Sequence, residues 1–430
     1  MTHGCRAFVV VLLAAALAMA GCSSSKSSKS PSTNNTTTTS ASGNPTISVN
    51  QDDSAFYVPP SPLTPGAPGA MIRTQVITGV VGVPTGATVY RILYHSRSIY
   101  DADTAVSGYI IVPPGPAPAT GRTVLAWAHG TTGITPSCDP SLFNTYGPGQ
   151  PYLVPGLADF IGAGYVVAAS DYEGLGGLQP YLLGASEGRG VLDAARAAHN
   201  LPGVSVSPTT LVYGHSQGGH AALFAGELAP TYAPDLKVVG VAAAAPATNL
   251  TLIMSLAGTA ATQGALSFQV EAAWSWVKTY NDLPAASLFT PEGAQLAPSL
   301  VAGCLNNTDQ AITAGNIQES QIFKTGLATD QTVVAHTKLN DPGRVRTVAP
   351  ILVVQGTADT TVPPSLTDMY VQQMACPIGD TVDYLHYTGA THQTIPVQAG
   401  PRVLSWMADR VLGHPAPSTC GTPGETVTAP

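Results

Sequence analysis

Gly214-His215-Ser216-Gln217-Gly218 sets a serine between two glycines, straight after the apolar run Leu211-Val212-Tyr213 and straight before an Ala-rich segment. A G-x-S-x-G alone is a short pattern, and this chain has 44 glycines. Its context gives it chemistry. A strand feeding a helix through such a turn leaves the serine oxygen exposed at the helix start. The glycines let the backbone turn sharply and let the helix lie close to the strand. A serine hydroxyl remains a poor nucleophile until a neighbouring base takes its proton. The chain must therefore supply a histidine and an orienting carboxylate, in the order Ser, acid, His expected after this kind of turn.

Well downstream stand His336, His386, His392 and His414. His392 lies in Gly389-Ala390-Thr391-His392-Gln393, a loop just past the last strand pattern, where the base belongs. His386 falls inside that strand pattern and reads as a packed or surface residue. For the acid, Gln355-Gly356-Thr357-Ala358-Asp359 follows a buried strand pattern, so Asp359 sits in a turn. Its rivals Asp368, Asp380 and Asp383 fall at helix or strand-entry positions. Such a carboxylate holds the imidazole in the right tautomer and stabilises the imidazolium. The tetrahedral oxyanion needs two donors. The N–H of Gln217 is one. The other is the N–H of Thr131, in the loop Trp127-Ala128-His129-Gly130-Thr131-Thr132-Gly133 after an early strand. Losing one such donor costs about a hundred- to a thousandfold in rate. His129 precedes the turn and reads as structural. Asp171 and Glu173, in Asp171-Tyr172-Glu173, read as braces for their loop.

This set predicts hydrolysis of a carboxylic ester through an acyl-enzyme, with no metal and no organic cofactor. The same acyl-enzyme delivered to an alcohol would make an acyltransferase. A serine peptidase would be expected to show charged anchors for a peptide terminus. A binding lipoprotein that has lost activity would have no need of all three residues. Fold alone does not decide among them.

The elements that must position these residues alternate. Thr123 to Ala128, Tyr165 to Ser170, Thr210 to Gly214, Val238 to Ala245, Ile351 to Val354 and Val382 to Tyr387 read as strands. Leu183 to His199 and Gly218 to Leu228 read as helices. Alternation implies a mostly parallel sheet covered on both faces. Residues 248–345 break the rhythm, with helical segments and no clear strand. They carry Met254, Leu256, Phe268, Trp274, Trp276 and Val277. They read as a helical cap inserted before the strand that leads to Asp359. The core then comprises 56–247 and 346–422, and 423–430 is a tail. Large side chains in a cap predict an apolar acyl pocket that reaches Ser216.

The first residues read as an address. Arg6 precedes the short apolar run Phe8 to Ala18, and Met19-Ala20-Gly21-Cys22 resembles a bacterial lipobox with Met where Leu is usual. The run is too short to span a bilayer. Residues 1–21 are thus a lipoprotein-type signal and Cys22 the lipidated residue, an anchor to a surface. Residues 22–55, rich in Ser, Thr and Asn, form a tether. Cys138, Cys304, Cys376 and Cys420 remain, and an even number in an exported chain predicts two disulfides, with three pairings open. A net charge of −8 with 10% charged residues offers no basic footprint for nucleic acid.

The chain resembles the secretory lipase family of the α/β-hydrolases, which includes fungal lipase A and actinobacterial exported lipases. The resemblance rests on Ser170-Asp171-Tyr172-Glu173-Gly174-Leu175-Gly176, on Glu187-Gly188-Arg189 with Val191-Leu192-Asp193, on the elbow, and on Glu227-Leu228-Ala229-Pro230 through Val241. It runs from about residue 55 to 420. It implies an α/β-hydrolase fold with a cap, activity on acylglycerols or similar lipid-like esters, and a triad at Ser216, Asp359 and His392. It also implies the disulfides Cys138–Cys304 and Cys376–Cys420. Thr131 stands where the best-known fungal member has an acidic residue, and Gln217 where it has Gly. Backbone donors survive both changes, but acyl preference need not.

Overall fold

The computed structural model describes residues 38–39, 45–49, 54–146, 149–150, 152–255 and 265–428. The expected signal, Cys22, most of the tether and Leu256 lie outside them.

Twelve strands of the described residues form one sheet: β1 Thr38–Thr39, β2 Pro45–Ser48, β3 Met71–Thr78, β4 Thr88–Arg97, β5 Asp103–Val112, β6 Arg122–Ala128, β7 Val166–Ser170, β8 Val206–His215, β9 Lys237–Ala244, β10 Ile351–Gly356, β11 Val382–Thr388 and β12 Glu425–Thr428. Their order is β1-β2-β3-β4-β5-β7-β6-β8-β9-β10-β11-β12. From β7 through β12 every pairing is parallel. β3, β4 and β5 form an antiparallel entry, joined to β7. The chain has the α/β-hydrolase fold. The six strands read from the sequence correspond to β6–β11.

Helices cover both faces: α1 Leu157–Gly162, α2 Gly184–His199 and α3 Gln217–Tyr232, then, among the described residues, a run of seven inserted between β9 and β10, and finally α11 Pro364–Met369, α12 Ile395–Gln398 and α13 Gly400–Val411. Strand residues alternate between faces, and β6 shows the consequence. Val124, Ala126 and Ala128 join a core with Val191, Leu192 and Leu223 of α2 and α3. Leu125 and Trp127 join the opposite core, with Phe160, Val403 and Trp406 of α1 and α13. Trp127 is fully buried, so truncating it to Ala would cost about 3–5 kcal/mol.

The inserted helices are α4 Leu250–Ser255, α5 Ala265–Thr279, α6 Ala285–Leu288, α7 Pro291–Leu300, α8 Leu305–Ala314, α9 Glu319–Ile322 and α10 Gln331–Leu339. Two begin with side-chain caps that satisfy free N–H groups: Thr290 accepts from Gly293 N (2.9 Å) and Asp330 from Val333 N (3.0 Å). The insertion has its own apolar core, which also takes in Tyr181, Leu182 and Leu183 before α2. The structure pairs Cys138 with Cys304 and Cys376 with Cys420. The first bond joins the loop after β6 to the start of α8.

Two boundaries differ from the sequence reading. Part of the expected tether, β2, pairs with β3, and part of the expected tail, β12, pairs with β11. β12 is a short edge strand rich in Thr and Val, which suit a pleated edge, whereas β2 lies between β1 and β3 and puts Ile47 into the core.

Candidate active site

β8 ends at His215 and α3 begins at Gln217, so a single residue, Ser216, makes the turn. Its backbone stands at φ 60°, ψ −119°, a conformation that a side-chain-bearing residue holds only under constraint. The constraints are visible. Ser216 N donates to Ala244 O (2.9 Å) and Ala247 N donates to Ser216 O (3.2 Å), which ties the turn to β9 and its exit. A Cβ on Gly214 would lie 1.8 Å from Gly218 O, and one on Gly218 would lie 1.9 Å from Ala128 O. Only glycine permits that contact between elbow, helix and β6.

The other two residues come from loops at the same end of the sheet. Ala358 N donates to Ala390 O (2.9 Å), and a Cβ on Gly356 would lie 2.3 Å from the same oxygen. The loops after β10 and β11 therefore touch, although β11 begins 26 residues after β10 ends. His392 Nε2 lies 2.9 Å from Ser216 Oγ, and His392 Nδ1 lies 2.7 Å from Asp359 Oδ2. Asp359 Oδ1 accepts from Thr361 N (2.9 Å) and Val362 N (2.8 Å), and Oδ2 also accepts from Gln355 Nε2 (3.2 Å). All three residues are buried, Ser216 at 8% exposure.

The loop after β6 lies against the elbow. A Cβ on Gly130 would stand 3.3 Å from His215 O. Next to it, Thr131 Oγ1 is 2.8 Å from Tyr181 Oη, and Leu305 N of α8 donates to Thr132 O (2.9 Å). Gln217 is the first residue of α3, where helical N–H groups have no partner within the helix. Such donors suit a developing negative charge.

Rivals fall elsewhere. His386 Nε2 faces Pro423 O (3.1 Å), Asp368 accepts from Tyr384 Oη, Asp380 from Thr347 N, and Asp383 pairs with Arg402. His129 stacks on Tyr172 at 4.5 Å, and burial lowers its imidazole to about 4. Asp171 accepts from Ser141 N (2.9 Å) and Ser141 Oγ, and Glu173 from Ser186 Oγ (2.6 Å), as loop braces do.

The tryptophans divide. Trp274 packs inside the insertion, edge-on to Phe289 at 5.8 Å with Lys278 over its ring. Trp276 Nε1 donates to Tyr181 O (2.8 Å), on the residue whose hydroxyl meets Thr131. A narrow apolar cleft is lined by Leu182, Leu250, Ile253, Phe268 and Trp276, but by neither Trp274 nor Ser216, so it does not itself reach the serine as the sequence led one to expect.

Sequence reasoning missed three polar residues near the elbow, of which Glu187 and His220 are buried and Tyr152 half-buried. Tyr152 Oη lies 2.6 Å from His215 Nδ1, and Glu187 lies 2.8 Å from both Gln217 Nε2 and His220 Nδ1. A signal existed for the last two: Glu187 is a carboxylate in an otherwise small-residue helix start, and His220 follows the serine by one helical turn.

Residues 156–419 match the secretory lipase family. A Mycobacterium tuberculosis protein named as a probable inactive lipase is 27% identical over 390 residues, 84% of this chain and 83% of that one. The trichothecene C-3 esterase of Fusarium sporotrichioides is 25% identical over 381 residues, 82% of each chain. Among solved structures, closed Candida antarctica lipase A superimposes with a TM-score of 0.73 at 20% identity, covering 87% of this chain and 89% of that one. The chain belongs to the secretory lipase family and is a carboxylic ester hydrolase.

Proposed function

We propose that this protein is an exported serine hydrolase that cleaves acylglycerols or other lipid-like esters through an acyl-enzyme on Ser216. The observation that carries the reading is the unbroken hydrogen-bond chain Ser216–His392–Asp359 at the elbow. It is also the reason to expect activity here, although one relative is named as inactive.

His392 Nε2 takes the Ser216 hydroxyl proton as Oγ attacks the ester carbonyl. Asp359 keeps the other ring nitrogen as a donor and balances the imidazolium. The N–H groups of Gln217 and Thr131 hold the oxyanion. The alcohol leaves with the proton from His392. Water, deprotonated by His392, then releases the acid and restores the serine. In this reading the insertion caps the site.

The test is a series of p-nitrophenyl esters of rising chain length, assayed with wild type and Ser216→Ala. Turnover should fall by at least about a thousandfold without loss of the fold. A variant that kept most of its activity would sink the mechanism. Adding a free alcohol and measuring acid against new ester separates hydrolysis from acyl transfer.

The surface location is part of the proposal. The segment Met19-Ala20-Gly21-Cys22 supports a lipid anchor on Cys22. Labelling with tritiated palmitate in a bacterial host should be lost in Cys22→Ser, and labelling that persists would refute the anchor.

A further inference from the structure

A second acid–histidine pair lies behind the elbow, and the proposed reaction does not use it. The side chains of Glu187 in α2 and His220 in α3 are fully buried, with Oε2 and Nδ1 2.8 Å apart. Glu187 Oε1 accepts from Leu182 N (2.8 Å) and from Gln217 Nε2 (2.8 Å). His220 Nε2 lies 2.7 Å from the backbone oxygen of Asn340, the residue that ends α10. Asn340 Oδ1 accepts from Gly184 N (3.1 Å), and its Nδ2 donates to Tyr280 Oη (2.8 Å). One carboxylate thus joins the residue after the serine, the first turn of the elbow helix, the start of α2 and the end of the insertion.

The hydrogen bonds fix the number of protons. A carbonyl only accepts, so His220 Nε2 must carry hydrogen. The contact between Nδ1 and Oε2 then requires one more proton, on either atom. The pair holds two protons and is neutral overall. Removing one sets a bare nitrogen against a bare carboxylate oxygen, or else breaks the bond to Asn340. Either change is costly where no water can compensate.

Resting on the reading of Ser216 as nucleophile and Gln217 N–H as oxyanion donor, we infer that Glu187 and His220 are positioning residues whose shared proton holds the Ser216–Gln217 peptide and couples it to the end of the insertion. Ser216 keeps a strained backbone, and such strain persists only where neighbours over-determine it. The Gln217 side chain, anchored through Nε2 on Glu187, is one of those constraints.

The pair makes its contribution dependent on pH. Burial alone would lower the His220 imidazole, but the hydrogen bond and charge of Glu187 outweigh it and raise it. The other titratable groups facing His220 are Asp341 beyond α10 and Glu227 further along α3. Burial pushes these carboxyls up to about 6 and about 7, and once ionised they favour the proton on His220. A histidine raised in this way contributes fully at low pH and loses its contribution as pH rises. The expected effect is an alkaline limb in kcat.

The experiment compares wild type, Glu187→Ala, Glu187→Gln and Ser216→Ala on p-nitrophenyl butyrate from pH 5 to 10, with fluorophosphonate labelling of the serine. In Glu187→Gln the amide oxygen can still accept from Leu182 and Gln217. Its NH₂ can donate to Nδ1 of a neutral His220, whose Nε2–H still reaches Asn340. Glu187→Ala should lower kcat by about ten- to a hundredfold with little change in KM. Glu187→Gln should fold, recover most of that loss and lack the alkaline limb. A folded Glu187→Ala with wild-type kcat overturns the inference. So does a wild type with no alkaline limb, or a Glu187→Gln that keeps the wild-type limb, fails to fold or is as slow as Glu187→Ala. If Glu187→Ala itself does not fold, the Glu187→Gln profile decides. Activity and labelling retained in Ser216→Ala would instead break the underlying reading of the nucleophile.

Discussion

His215 Nε2 lies 2.9 Å from the backbone oxygen of His392. The residue before the serine therefore holds the loop that carries the proposed base. Burial, and then the neighbouring His392, lower the His215 imidazole well below its ordinary value, so it is neutral. A neutral ring has one donor and one acceptor. Nε2–H donates to His392, and Nδ1 accepts from Tyr152 Oη at 2.6 Å. His215→Phe fills the space but removes the donor to the His392 backbone oxygen and the acceptor for Tyr152 Oη. Stability should fall by about 1–3 kcal/mol for the backbone oxygen left without a donor. Displacing the base should lower kcat by about ten- to a hundredfold. A soluble-ester assay beside a thermal melt measures both, and an unchanged kcat would show that the His392 loop holds itself.

Asp359→Asn has a definite expected failure. Oδ1 receives two backbone N–H groups, so the amide oxygen must take that place. The NH₂ then occupies the Oδ2 position and faces Gln355 Nε2 and His392 Nδ1. His392 can meet it only with Nδ1 as acceptor, which moves the ring hydrogen to Nε2, against Ser216. The base is then in the wrong tautomer, and kcat should fall by about ten-thousandfold while the melting curve changes little. A loss under tenfold would mean that Asp359 is not the orienting acid.

The parallel half of the fold was legible because its strands are short apolar runs, each ended by Gly, Pro, His or Asp. The antiparallel entry was not. β4 buries Arg91 and Ser96 among apolar residues, which erases the alternation a strand normally shows. Arg91 tolerates burial by donating to Ser141 O and lying over the ring of Tyr57, partners 50 and 34 positions away in the chain. The meeting of Ser216, Asp359 and His392 could be anticipated because each follows a strand at one end of a parallel sheet. Glu187 and His220 each left a signal in the sequence, but their pairing did not. Its logic depends on α2 and α3 lying side by side and on the return of the chain at Asn340.

Glu271 gives the insertion its own pH dependence. It is buried in α5, with Oε1 accepting from Thr308 Oγ1 at 3.3 Å and Oε2 without a hydrogen-bond partner among the described residues. Burial raises its carboxyl to about 8. A carboxyl raised on folding binds its proton more tightly in the folded state. Stability should therefore fall as pH rises from about 4.5 to about 8 and then level off. Relative to Glu271→Gln, which cannot ionise, wild type should lose at most about 1.4 kcal/mol per pH unit across that window. Urea unfolding of both proteins from pH 5 to 9 gives the difference directly. Parallel curves would show that Glu271 is ionised or solvated in the folded protein.

The pocket walled by Phe268, Ile253 and Trp276 is apolar and lies where the insertion meets Leu182. Trp276 connects that wall to the proposed oxyanion loop through Tyr181, whose hydroxyl meets Thr131 at 2.8 Å. An acyl chain entering there would leave water one methylene at a time. Each methylene contributes at most about 0.8 kcal/mol, or about fourfold in kcat/KM. The rate should climb over several carbons from acetate and stop where the pocket ends. Trp276→Ala lengthens the pocket and should move that stop to longer esters, at some cost in kcat because Tyr181 loses a donor. Trp276→Phe should keep the wild-type stop while sharing the cost in kcat. A series flat or falling from acetate to octanoate would exclude an apolar acyl pocket and leave a short-chain esterase. A climb whose stop is the same in wild type and Trp276→Ala would place the acyl chain elsewhere under the insertion.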